Sequence, residues 1–204
     1  MSDLFKDVKA FESRLGLPNG FYEHLLKEDD WSFVIKASAL FEAASTHLLS
    51  IKFRAPAIES ELAFLEQANP RNGKIVLLKK MEAIYPDQAY FLTKLANLRN
   101  HIAHNIVNVN FSFQTYIDGF DKQQKKAFVA WAGHGIADNV EIKGHKVSRS
   151  DLVLSNPKIS IWLTAAEVLA CMNLDIQDTE LKIKIEAWGM YKSIISNLNN
   201  ENQT

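Results

Sequence analysis

The chain of 204 residues holds a single cysteine, Cys171, which excludes an internal disulfide. Its 8 glycines and 5 prolines are too few for a turn-rich β protein and leave room for long helices. Positive charge is not in excess. The 23 Lys and Arg stand against 24 Asp and Glu, a formal net charge of -1, so contact with nucleic acid has to come from a local patch. No uninterrupted run reaches the roughly 18 apolar residues of a membrane-crossing helix, and the opening "MSDLFKDVKAFESRLG" breaks its apolar positions with charges, unlike a signal peptide. The sequence therefore predicts no membrane association and a cytoplasmic location.

What is present is helical spacing. Leu4, Val8, Phe11 and Leu15 recur at the interval of an amphipathic helix, which Gly16 and Pro18 stop. From Asp30 to about Phe53 the chain is apolar around most of its circumference, with a thin polar strip of Ser32, Lys36 and His47, which is the pattern of a central buried helix. A short helix over Ile58 to Gln67, the turn "NPRNG" at 69–73, a helix over "KIVLLKKMEAIYP" and a longer one from about Asp87 to Asn108 follow. Residues 109–120 alternate loosely and read as extended. "DKQQKKAFVAWAG" has the cap and terminal glycine of a helix, and "HGIADNVEIKGHKVSRSDLVLSNP" reads as a loop with one or two short strands. Two helices close the chain, Pro157 to about Asn173 and Thr179 to about Leu198, before a frayed polar tail at 199–204. The expected fold is a mainly α, up-and-down helical bundle forming one domain over 1–204, with a loop-rich insertion at about 109–156.

The stretch "LANLRNHIAHN" at 95–105 poses the functional question. At about 100° per residue, Phe91, Leu95, Leu98, Ile102 and Ile106 share one side and Arg99 falls inside the same arc. Arg99 is thus predicted to point inward or into a subunit interface. A guanidinium cannot lose its charge, so burial demands a carboxylate, and Glu42, acidic in an apolar sector of the central helix, is the natural partner. Two readings stay open: a buried Arg99–Glu42 pair that fixes helix register, or an Arg held at a dimer cleft to bind phosphate. Asn97, Asn100 and His104 form the polar flank, with His101 beside them.

The span from "DDWSFVIKASALFEAASTHLL" through "GKIVLLKKM" to "FLTKLANLRNHIAH" resembles the HEPN superfamily, whose signature is an Arg, a polar residue, a few more residues and a His near the end of a bundle helix. Here that signature is Arg99, Asn100 and His104. Within the superfamily the chain looks most like the branch of mannitol-operon-repressor-like proteins. The resemblance implies a metal-independent endoribonuclease working as a homodimer in stress response, phage defence or a toxin-antitoxin pair, with no cofactor. It assigns His104 as acid/base, Arg99 as phosphate stabiliser and Asn100 as a positioning amide. Glu42 and His101 would be structural supports. The residue types suit that chemistry, because imidazoles as a class exchange protons near neutral pH and a guanidinium stabilises charge on phosphoryl oxygens. On one helix Arg99 and His104 diverge by about 140°, so two copies meeting along this helix are expected to complete the site. The resemblance also implies RNA and an antitoxin or regulatory protein as candidate partners. The alternative is a non-catalytic regulatory or scaffolding dimer of the repressor-like type.

His101 and His104 could also be two metal ligands, but no carboxylate or cysteine follows at a familiar spacing, so no metal is expected. Lys143, His145, Lys146 and Arg149 could face RNA as a basic patch, although a solvated basic loop is the simpler reading. His134 and His145 read as exposed loop residues, and His47 as exposed or capping. The tryptophans at 31, 131, 162 and 188 read as core or interface anchors, and Cys171 as a small core residue.

Overall fold

The computed structural model of the protein describes residues 2–104, 106–142 and 144–201. Helix α1 spans Ser2–Arg14 and a short α2 spans Phe21–His24, followed by a 3-10 turn at Leu25–Lys27. The central helix α3, Asp30–Lys52, starts where Asp29 accepts from the Ser32 amide at 2.9 Å and from its hydroxyl at 2.6 Å. Phe33, Val34, Phe41, Ala44, Leu48 and Leu49 are buried on several of its sides, which is why its sequence is apolar almost all round. A 3-10 turn at Pro56–Ile58 leads to α4, Glu59–Ala63; α5 is Lys74–Lys80 and α6 is Pro86–Ala103. Helix α6 buries Phe91, Leu92, Leu95, Leu98 and Ile102, the arc expected from its spacing, and it packs on α3. It ends five residues earlier than the sequence predicts; Asn105 and the side chain of Ile106 lie outside the described residues.

The segment expected to be an extended, loop-rich insertion is mostly helical. After a 3-10 turn at Ile106–Asn110 come α7, Phe113–Asp118, and α8, Lys122–Ala132, the latter opened by a reciprocal cap between Asp121 and Gln124. A hairpin of β1, Asn139–Ile142, and β2, His145–Ser148, pairs Val140 with Val147 and Glu141 with Lys146. Helix α9, Arg149–Ser155, follows, capped by Ser148, whose hydroxyl accepts from the Asp151 amide at 3.1 Å. Phe113, Ile117, Phe128, Trp131, Leu152 and Val153 join the same buried cluster as α3 and α6, so this region is part of the core.

The last two expected helices are one. Helix α10 runs without a break over Pro157–Glu201. The stretch expected to interrupt it carries Asp175, which bonds Lys52 of α3 at 2.9 Å, and Asp178, which pairs with Lys182 at 2.6 Å. Its polarity is thus satisfied on the helix surface, and no Gly or Pro stops it there. The span Pro157–Ser196 is long and apolar enough to cross a membrane, yet most of its apolar stretch is buried inside the fold. It is a core helix, packed by α1, α3, α8 and α9. Trp162 shows the packing. Its ring lies between Phe5 and Tyr22 at 5.2 and 5.1 Å, and its indole N–H donates to the Tyr22 carbonyl at 3.0 Å.

Candidate functional site

The end of α6 is held in place from outside the helix. Trp31 Nε1 donates to the Ile102 carbonyl at 3.4 Å and Asn108 Nδ2 to the His101 carbonyl at 3.1 Å, satisfying two of the carbonyls a helix leaves open at its C-terminus. The His104 amide reaches the Asn100 carbonyl at 3.4 Å, so His104 closes the last turn with helical φ and ψ. Its side chain is exposed.

Arg99, Asn100 and His104 line one groove of about 470 Å³ with Glu42 of α3 and the turn that follows α4. Arg99 does not enter the core. Its Nη2 lies 3.9 Å from Glu42 Oε1, the two side chains are 39% and 38% exposed, and Nη1 donates to Asn100 Oδ1 at 3.0 Å. The physical reason is side-chain length. About 100° from Leu98, Arg99 stands at the margin of the apolar arc, and its stem carries the guanidinium out to the groove. The pairing with Glu42 is therefore found, but as a wet contact and not a buried one. The angular divergence of Arg99 and His104 also does not separate them, because the groove is wide enough to take both from a single chain.

Sequence reasoning missed several groove residues. Gln67 is buried; its amide donates to Ser45 Oγ at 2.9 Å and to the Phe41 carbonyl at 3.4 Å, while its Oε1 has no hydrogen-bond partner among the described residues. Asn69 shapes the rim through the turn signalled by "NPRNG", accepting from the Arg71 and Asn72 amides at 3.0 and 3.3 Å. Gly73 is required there, since a Cβ would sit 2.6 Å from the Asn69 backbone. Lys74 is buried on the far side of Glu42, its ammonium donating to the Ala63 carbonyl at 3.2 Å. Burial pushes that ammonium below the usual lysine range, and the Glu42 charge opposes the shift. Glu42 is thus addressed by Lys74 from one side and Arg99 from the other. Only a fold brings those three residues together.

His101 faces away from His104. It lies against Tyr116, ring centroids 6.3 Å apart, in a separate groove that also takes Lys94, Asn97 and Phe120. Burial raises the Tyr116 hydroxyl above the usual range. Of the expected basic patch, Lys143 lies outside the described residues and His145 and Lys146 are exposed on β2. Arg149 forms an ion pair with Asp138, so its charge is answered within the protein. His134 is not an exposed loop residue. It is 12% exposed, set edge-on to Phe91, with Nδ1 3.7 Å from Glu167 and 3.9 Å from Asp87. His47 is likewise half-buried and bonds Glu59 at 3.1 Å.

Known protein families, curated proteins and solved structures offer no match to this chain.

Electrostatically the groove is mixed. Glu42 and Glu66 line it, and it opens at the C-terminal end of α6, where a helix dipole disfavours anions. Arg99 is the cation that reverses this locally, and Asn97, Asn100 and Asn69 supply neutral donors around it. Such an arrangement can hold one phosphoryl group against Arg99 and offer it an imidazole.

Proposed function

We propose that the chain is a HEPN-like, metal-independent RNA endonuclease whose reacting groups are Arg99, Asn100 and His104. The observation that supports this reading is that these three side chains, from one helix turn and a half, line a single solvent-open groove with Glu42. In the reaction the RNA 2′-oxygen attacks the adjacent phosphorus and the bond to the 5′-oxygen breaks. The 2′ proton leaves and the 5′-oxygen gains one, giving a cyclic 2′,3′-phosphate and a 5′-hydroxyl. His104 carries one of these proton transfers and water the other, Arg99 stabilises the charge on the non-bridging oxygens, and Asn100 orients Arg99 through the bond it already makes. DNA lacks the attacking hydroxyl and is not cut. A single 2′-deoxy substitution at the cleaved nucleotide, assayed with chelator present, should block the reaction; cleavage of the deoxy substrate would defeat the proposal.

A second reading, a non-catalytic regulatory or scaffolding protein of the repressor-like type, draws on the engagement of Arg99 by Glu42 and Asn100. Under it the groove residues set helix geometry, and RNA incubated with the protein stays intact. The settings implied by the resemblance, stress response, phage defence or a toxin-antitoxin pair, belong to the first reading.

A further inference from the structure

Most of the large apolar side chains of this chain are in the core, but the second half of α10 is an exception. Leu174, Leu181, Ile185, Trp188, Tyr191 and Ile195 are exposed, from 41% at Ile195 to 62% at Ile185. At about 100° per residue they fall within an arc of about 120°, one continuous stripe along the helix. The body of the protein ends alongside this stripe. Arg14 of α1 bonds Glu180, and Arg54, just beyond α3, bonds Glu186. Past Glu186 the helix stands free, and Met190 and Ile194 leave its opposite side exposed as well. A contiguous apolar surface of this kind marks an interaction site.

We propose that this stripe is the interface of a two-fold symmetric dimer in which α10 of a second copy crosses antiparallel near Ile185. Two observations select a second copy. The six side chains with the flanking Gln177, Asp178, Lys184 and Lys192 offer on the order of 800 Å², the share one partner contributes to a standard stable interface. Charge also runs along the stripe in one direction: Asp178, which pairs with Lys182, borders it seven residues before Ile185, and the basic Lys184 and Lys192 lie within it, Lys192 seven residues after Ile185. An antiparallel crossing sets Asp178 of one copy against Lys192 of the other and Leu181 beside Trp188, whereas a parallel pair would stack like charges. On α6, by contrast, the exposed large apolar residue is Tyr90. The dimer inferred here does not depend on the groove chemistry.

Light scattering of the full chain at tens of micromolar should give the mass of two copies, and Ile185→Asp or Trp188→Asp should give one copy with unchanged far-ultraviolet circular dichroism. Orientation is read in a Cys171→Ser background. Mild oxidation should cross-link Ile185→Cys to itself and should cross-link the Asp178→Cys/Lys192→Cys double variant, but should leave the single Lys192→Cys variant monomeric on a denaturing gel. A one-copy mass for the unmodified chain, or self-linking of Lys192→Cys as readily as Ile185→Cys, overturns the proposal. The cysteine variants decide the matter if the aspartate variants fail to fold.

Discussion

Glu42 of α3 and Arg99 of α6 face each other at 3.9 Å with more than a third of each side chain open to water. That separation and that exposure set the energetic scale of the pair. A dry, hydrogen-bonded ion pair resists the loss of one partner by about 3–5 kcal/mol, whereas exposed pairs contribute about 0–1 kcal/mol. Arg99→Ala is therefore expected to lower stability by less than about 1 kcal/mol, read from urea unfolding midpoints at constant slope. A loss of several kcal/mol in this variant would mean that the pair is structural.

The clamp between α1 and α10 gives a pH signature. Arg14 Nη1 and Nη2 bond the two oxygens of Glu180 at 2.8 and 2.9 Å, and this bond holds the Glu180 carboxyl below its ordinary value of 4.5. A carboxylate with a lowered folded-state pKa contributes stability above its unfolded value and loses it as pH falls through the folded one. Arg14→Ala should cost about 1 kcal/mol at pH 7, and the gap between the two proteins should narrow as the solution is acidified below the ordinary carboxylate value and through the lowered one. A gap that persists unchanged at pH 3 would assign the effect to packing of the arginine stem.

Cys171 should be a poor nucleophile. Burial, and then the charge of Glu167, to which the thiol donates at 3.3 Å, push it up to about 11. Thiolate is the reactive form, so at pH 8 its reaction with a disulfide reagent should be on the order of a hundredfold slower than that of free cysteine. Glu167→Gln should speed it, and an unmodified protein that reacts at the free-thiol rate would contradict the described environment.

Helix existence and the buried arc of α6 were legible in the sequence because spacing alone determines which side of a helix is apolar. Residues 109–120 were misread for a reason within the same logic. Phe111 and Phe113 alternate, but Phe113, Tyr116, Ile117 and Phe120 also recur at the helical interval, and the rings pack that way, Tyr116 on Phe120 at 4.7 Å. Helix α9 carried a readable start, Ser148 followed three positions on by Asp151, hidden inside a polar stretch. The fate of Arg99 could not be read from angle, since angle places a Cα and not the end of a long side chain. Lys74 and Gln67 carried no local signal at all; they meet Glu42 and the groove only because α3, α5 and α6 pack together.

The account rests on His104 doing chemistry from the groove it shares with Arg99. The direct measurement is fragment formation from labelled single-stranded RNA with chelator present, comparing the unmodified protein with His104→Ala and Arg99→Ala after each is shown to be folded. Cyclic phosphate ends should appear with the unmodified protein and fall by at least about a hundredfold in His104→Ala. Equal cleavage by the histidine variant, or intact RNA with every protein, would contradict it.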